Sequence, residues 1–85
     1  MEPNRINAAQ LSPDSTGRVI ALAHSGSLRQ RLFDLGLIPG ALIRRRYTAP
    51  TGTPIAFEVQ GTIVALRRRD AEQVTVQEVA QAWTP

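Results

Sequence analysis

Cysteine and lysine are both absent from this sequence of 85 residues, and histidine occurs only once. The absence of cysteine excludes a disulfide framework, a thiolate metal site and a cysteine nucleophile. The longest apolar run, residues 19–23, is far shorter than the roughly 20 residues that a membrane span needs. The chain is also too short for a two-lobed enzyme or a doubly wound nucleotide-binding sheet. With 42% hydrophobic residues and no targeting signal, it is predicted to be one small, soluble, cytoplasmic domain.

All ten basic residues are arginine, and they are unevenly distributed along the chain. Residues 44–69 carry six arginines against one acid, Glu58, whereas residues 70–85 carry three acids and no base. A basic central segment indicates contact with phosphates or with an acidic protein face. The alternative is a solvated surface without a dedicated partner, and the modest net charge of +3 favours it.

The hydrophobic pattern and the turn residues predict five short strands, over 18–24, 41–49, 55–60, 62–68 and from Val74 onward. One helix is predicted over residues 28–35, with Ser27 and Gln30 as a capping box and Gly36 just beyond its end. A further capped helical turn is predicted from Asp70. These elements indicate a mainly β fold, a small antiparallel barrel of about five strands with one short helix after the first strand. The domain is predicted to span residues 11–79, between a flexible segment, 1–10, and a tail, 80–85.

Catalytic and metal-binding chemistry is poorly represented. A nucleophile and its base must converge with a third, orienting group, and His24 has no such partners in sequence, so it is interpreted as a surface residue at a strand end. Tight transition-metal sites use clusters of histidine and cysteine, which the chain lacks. The sequence therefore predicts a non-enzymatic protein without a catalytic residue or a bound cofactor, and at most a weak site for ferrous or another divalent ion.

Nucleic-acid binding remains an alternative because two arginine triplets, Arg44–Arg46 and Arg67–Arg69, lie on or beside predicted strands. Small barrels that bind single strands stack the bases on aromatic side chains. Only Tyr47 and Phe57 are available on the predicted sheet, and Phe57 falls in the apolar register. An electrostatic contact with nucleic acid is thus the less favoured function, and sequence-specific readout is not indicated.

A longer combination of residues is more specific than any single motif. The segment from Leu28 to Gly40 reads LRQRLFDLGLIPG and resembles the signature of the FeoA family, small proteins of bacterial ferrous iron transport. The resemblance continues through residues 49–55, 59–61, 65–68 and 72–76, and it covers residues 11–78 in all. It implies an SH3-like barrel, in agreement with the fold that the periodicity predicts.

The resemblance also implies a function and a partner. Members are cytoplasmic accessories of the membrane ferrous iron transporter FeoB, and they act by protein contact. The family is often described in terms of transition-metal binding. Related SH3-like domains occur in metal-dependent repressors, so a stand-alone relative of those domains is a further alternative, and self-association is left open.

We expect the apolar stripe of the helix, Leu28, Leu32 and Leu35, to close the open end of the barrel. Residues off that stripe, in the following turn and on the basic strand are then the expected partner contacts. These contact candidates are Arg29, Arg31, Phe33, Leu37, Ile38, Arg44 and Arg46.

Overall fold

Six antiparallel strands form one sheet in the computed structural model, which describes residues 5–79. The strands are β1 (Arg5–Asn7), β2 (Thr16–Leu22), β3 (Leu42–Thr48), β4 (Ile55–Val59), β5 (Thr62–Leu66) and β6 (Val74–Val79). They are ordered β1-β6-β2-β3-β4-β5 in the sheet, so β1 and β5 are its two edges. Helix α1 (Gly26–Asp34) joins β2 to β3, helix α2 (Arg68–Ala71) joins β5 to β6, and a 3-10 helix (Ala8–Gln10) follows β1.

The mainly β fold with a helix after the first predicted strand is confirmed, but the structure has one strand more than predicted. The additional strand is β1, in which Ile6 pairs with Val76 of β6. Ala8 and Ala9 follow it and are buried. The prediction of a flexible segment is therefore wrong for residues 5–10. Residues 1–4 and the predicted tail at 80–85 lie outside the described residues.

The core is formed by side chains at alternate positions of the strands, as a sheet with one covered face requires. In β4, Ile55, Phe57 and Val59 are all completely buried. Gly17 in β2 lies so close to β6 that a Cβ atom there would be 3.1 Å from the side chain of Val76. The sheet is thus packed tightly around a small apolar centre, which fixes the positions of the surface residues.

Two β-bulges alter the predicted alternation. Ile20 is the extra residue in β2, where Val19 and Ala21 pair with consecutive residues of β6. Arg46 is the extra residue in β3. Because a bulge rotates the following side chains relative to the sheet, Tyr47 does not share the inward direction of Arg45 and is 62% exposed.

The helix starts differ from the predictions. Helix α1 has Ser25 as its N-cap residue, and the side chain of Gln30 donates to Oδ1 of Asp34 at 3.0 Å, so the predicted capping box is wrong. Helix α2 begins at Arg68, and Asp70 lies inside it instead of capping it. Each helix begins only two residues before its predicted start, but the earlier start of α2 places Arg67 at the junction of β5 and α2.

Candidate protein-docking surface

Helix α1 ends in a Schellman motif, which determines which of the following side chains are available for contact. The N–H of Gly36 donates to the carbonyl of Phe33 at 2.9 Å, and the N–H of Leu37 donates to that of Leu32 at 2.9 Å. Gly36 adopts the left-handed conformation that this motif requires, with φ of 100°. The motif brings Leu37 back onto Leu32, and both leucines are buried. Leu37 was predicted as a partner contact, and that prediction is wrong because the helix stop directs it into the core.

Side chains of α1 and of the edge strand β5 together line a groove with a volume of about 180 Å³, here called the α1–β5 groove. The groove is lined by Leu28, Arg31, Leu32, Leu35, Val64, Ala65, Leu66, Arg67 and Asp70. Leu28 and Leu35 are 38% and 39% exposed, whereas Leu32 is buried. The expectation that all three leucines close the barrel is therefore correct only for Leu32. The other two form part of an apolar groove wall.

Arg29 and Phe33 hold the helix against the sheet. The guanidinium of Arg29 donates to the carbonyl of Leu22 at 2.8 Å and more weakly to that of His24 at 3.4 Å. It also lies over the ring of Phe33, 4.8 Å from the ring centroid, within the range of a cation–π contact. Phe33 is half-buried and packs against the core. Both predicted contact residues thus have structural roles, and only their outer surfaces are available to a partner.

Arg31 is the predicted contact residue that the fold leaves most available. It is exposed, it lines the α1–β5 groove, and its side chain forms no ion pair or hydrogen bond with any of residues 5–79. Ile38, in the turn after α1, is 38% exposed. Its backbone is fixed, since the Ile38 N–H donates to the carbonyl of Gly36 and its carbonyl accepts from Ala41. The helix and the turn therefore offer a cation and an exposed aliphatic side chain on a rigid backbone.

The structure places Arg44 and Arg46 elsewhere, on β3. Arg46 forms an ion pair with Glu58 at 3.0 Å, and Arg44 lies 3.9 Å from a carboxylate oxygen of Asp14. Arg44 lines a second depression together with Leu42 and Glu58, which no residue of α1 lines. The predicted contact set is therefore divided between two surfaces, and the arginines of β3 are already paired within the protein.

The sequence prediction did not include the second arginine triplet among the partner contacts. Arg67 lines the α1–β5 groove, and Arg67, Arg68 and Arg69 line an adjacent cavity of about 330 Å³ together with Thr51, Gly52 and Thr53. Arg68 is anchored there, because its Nε donates to the carbonyl of Gly52 at 3.2 Å. The side chains of Arg67 and Arg69 have no ion pair or hydrogen bond within the described residues. The sequence does contain a signal for this basic surface, because no acidic residue occurs between Glu58 and Asp70.

His24 is buried, at 5% exposed, so its interpretation as a surface residue is wrong. Its Nε2 lies 2.9 Å from the carbonyl oxygen of Asp70, a contact that joins the end of β2 to α2. Within residues 5–79 no three His, Cys, Asp or Glu side chains are close enough together to hold a metal ion. His24 is explained by its packing and by its contact with Asp70.

The sequence matches the FeoA domain family over residues 6–78. A FeoA protein from Chlorobium tepidum is 33% identical, with a TM-score of 0.85, and the match covers 88% of this chain and 71% of that one. FeoA from Stenotrophomonas maltophilia, a zinc complex described as a procaryotic SH3 domain protein, is 26% identical with a TM-score of 0.73, covering 85% and 89%. A manganese-dependent transcriptional repressor shares only the fold, with 14% identity and a TM-score of 0.79 over 93% of this chain and 44% of its own.

These similarities confirm the SH3-like fold that the sequence resemblance implies. None of the helices described for residues 5–79 has the length and apolar character required to cross a bilayer. Since the family match includes almost all of the described residues, the chain belongs to the FeoA family, which is associated with ferrous iron transport.

Proposed function

We propose that this protein is a small cytoplasmic, non-enzymatic accessory of ferrous iron transport, which docks on the cytoplasmic part of the membrane transporter FeoB and modulates its activity. The observation that carries the proposal is the exposed side of α1. There Leu28 and Leu35 are each more than a third exposed and line the α1–β5 groove with Arg31, a cation without a partner among the described residues. Ile38, in the turn after α1, is exposed to a similar extent. Family membership supports the choice of FeoB as the partner.

The chemistry of this surface fits protein recognition. Protein interfaces commonly combine apolar side chains at the centre with arginine, which forms bidentate bonds to carboxylates and is enriched among the residues that dominate binding energy. The helix is held rigidly by the Schellman motif and by Arg29, so a partner would not have to order it. A small, preformed surface of this kind suits a weak and reversible contact, as a modulator requires.

Docking would modulate the transporter by population shift. A partner that binds one conformation of FeoB more tightly than another changes the ratio of the two conformations by the ratio of its affinities. No chemical step is needed for such a role.

The direct test is a titration of the ¹⁵N-labelled protein with the soluble cytoplasmic G-protein domain of the cognate FeoB, followed by ¹⁵N–¹H correlation spectra. We expect saturable shifts confined to α1, the turn that follows it and the residues of the α1–β5 groove. An Arg31→Glu variant should weaken this binding about tenfold or more. It replaces a cation at the rim of the interface by a carboxylate, which repels the carboxylates of an acidic partner.

The matched control is Arg5→Glu on β1, which makes the same charge change at an exposed arginine whose side chain also has no ion pair within residues 5–79. Equal weakening by both variants would indicate a general charge effect and no defined surface. A flat titration, together with steeply salt-dependent binding to a single-stranded oligonucleotide, would replace the proposal by the nucleic-acid alternative.

A further inference from the structure

The outer edge of β5 has free backbone hydrogen-bonding groups. β4 and β5 are joined by the two-residue turn Gln60-Gly61, in which both residues have positive φ, 51° and 81°. In such a hairpin the residues that flank the turn form a hydrogen-bonded pair, and the pairs alternate from there along the ladder. Thr62 therefore bonds to β4, while the N–H and C=O groups of Ile63 and Ala65 point away from it.

The other edge of the sheet, β1, offers a shorter strand for pairing. β1 has only three residues and runs directly into the 3-10 helix, whereas β5 has five residues. Ile63 is 50% exposed and Ala65 is also exposed, so their outward backbone groups are accessible to a partner. No described strand pairs with this edge of β5.

Side chains of helix α1 form the other wall of the α1–β5 groove, which Ala65 of this edge strand also lines. An edge strand flanked by a helix with exposed apolar side chains is a geometry in which an extended peptide adds a strand to the sheet. The backbone of the peptide would pair with Ile63 and Ala65, and alternate side chains would contact Leu28 and Leu35 on the helix.

The charge of the groove indicates the composition of that peptide. Arg31 and Arg67 line it and Asp70 is the only acid there, while Arg69 in the adjoining cavity is also unpaired within residues 5–79. A second copy of this chain, joined edge to edge, would bring these arginines close to their own equivalents, and this repulsion disfavours self-pairing. Carboxylates at the ends of an added strand would instead form charge-assisted hydrogen bonds with the two guanidinium groups that line the groove.

We propose that the edge of β5 binds an extended acidic segment of a partner protein as an additional strand of the sheet, with its carboxylates against Arg31 and Arg67. This inference deepens the proposed function and rests on it for the identity of the protein that supplies the segment. The mode of binding is testable without that protein.

The probe is a synthetic peptide, acetyl-Glu-Thr-Val-Thr-Ile-Thr-Glu-amide, titrated into the ¹⁵N-labelled protein. In an extended conformation its two terminal glutamates lie on the same face as Val and Ile, as the proposed contacts require. We expect saturable shifts of the Ile63 and Ala65 amides and of residues that line the groove. A peptide with lysine in place of each glutamate should bind about tenfold more weakly or not at all. Shifts that do not saturate, that lie outside the groove, or that are equal for the two peptides would overturn the proposal.

An Ala65→Pro variant removes one outward N–H, and proline is tolerated on an edge strand when its nitrogen faces away from the ladder. It should lose peptide binding, whereas Ala65→Val, which keeps the N–H, should retain it. If Ala65→Pro does not fold, as judged by its spectrum, the same test is made on the wild-type protein with a peptide N-methylated at alternate amides. N-methylation on the strand edge that faces β5 should abolish binding, and unchanged affinity for both N-methylation registers would disprove strand addition.

The two proposals fail separately. Binding of the FeoB domain that is weakened by Arg31→Glu but unaffected by Ala65→Pro in a folded protein would leave the docking function intact and remove strand addition. Peptide binding that depends on Ala65 without any binding of the FeoB domain would support strand addition and exclude that domain as the source of the segment.

Discussion

Two arginine triplets of the same composition, Arg44–Arg46 and Arg67–Arg69, have different surroundings in the folded protein. The first lies within β3, where each guanidinium has a partner in the structure. The second begins at Arg67, between β5 and α2, and continues into α2, and only the side chain of its central residue is anchored. A run of like charges in the sequence therefore does not reveal whether it supports the fold or faces a partner.

Arg45 shows how the first triplet contributes to the fold. Its guanidinium donates to the carbonyls of Ala9 at 3.1 Å and Leu11 at 2.6 Å, and to Oγ1 of Thr48 at 2.6 Å. It thereby joins β3 to the segment that follows β1, far away in the sequence. In the second triplet, Arg68 is the corresponding anchored residue, but it bonds to the exposed loop at Gly52 instead of to the chain around the core.

The largest effect that separates the triplets is expected for Arg45→Met. Removing three charge-assisted hydrogen bonds from a half-buried site should lower the free energy of unfolding by about 2 to 3 kcal/mol. Urea denaturation followed by circular dichroism measures this change. Arg44→Met, which removes only the exposed pair with Asp14, is the control and should cost about 0.5 kcal/mol or less. Equal midpoints for the two variants would contradict the structural role of Arg45.

Much of the fold follows from local signals that tertiary structure does not override. The alternation of Ile55, Phe57 and Val59 indicates β4, and Gly36 followed by Pro39 indicates the end of α1. β1 has no such signal, because three residues around a single apolar side chain, Ile6, show no period. Its conformation depends on pairing with β6, which only the folded chain provides.

The candidate site was less predictable for a related reason. A helix stop at Gly36 is visible in the sequence, and it fixes Leu37 at the position whose side chain packs back onto the helix, so its burial was within reach of the same reasoning. The position of Arg67 opposite Arg31 was not, since β5 and α1 are brought together only by the order of strands in the sheet. The position of a surface residue can be predicted from the sequence when a single helix or strand determines it. The proximity of two residues on different elements cannot be predicted in this way.

A smaller effect is expected for Arg68→Ala, which tests the one anchored residue of the second triplet. It removes the hydrogen bond from Nε to the carbonyl of Gly52 and should lower the free energy of unfolding by about 1 kcal/mol. The measurement is the thermal unfolding of this variant and of Arg68→Lys, which keeps the charge but not the planar guanidinium. The difference between the two variants separates the contribution of the charge from that of the hydrogen-bond geometry. Full stability of the lysine variant would show that charge alone suffices and would weaken the contrast with Arg69.

A still smaller effect is expected when the Arg46–Glu58 pair is exchanged. Its side chains are 40% and 39% exposed. The free energy of unfolding of the double variant Arg46→Glu/Glu58→Arg should therefore lie within about 0.5 kcal/mol of that of the wild type. Each single change places like charges side by side and should be slightly less stable than the double variant. A double-mutant cycle measured by urea denaturation provides the coupling energy. A coupling of several times this size would mean that Arg46, like Arg45, contributes substantially to stability.

The smallest effect on stability is expected for Arg67→Gln/Arg69→Gln, because neither guanidinium has a partner within residues 5–79. The denaturation midpoint should be unchanged, whereas affinity for the acidic peptide should fall about tenfold and its dependence on salt should become shallower. Calorimetric titration at two salt concentrations measures both quantities. Arg44→Gln/Arg46→Gln is the matched control: it also removes two charges of the same basic segment, but neither residue lines the α1–β5 groove, so peptide affinity should be unchanged. Equal losses of affinity in the two proteins would mean that overall charge attracts the peptide, and the distinction between the triplets would then concern folding alone.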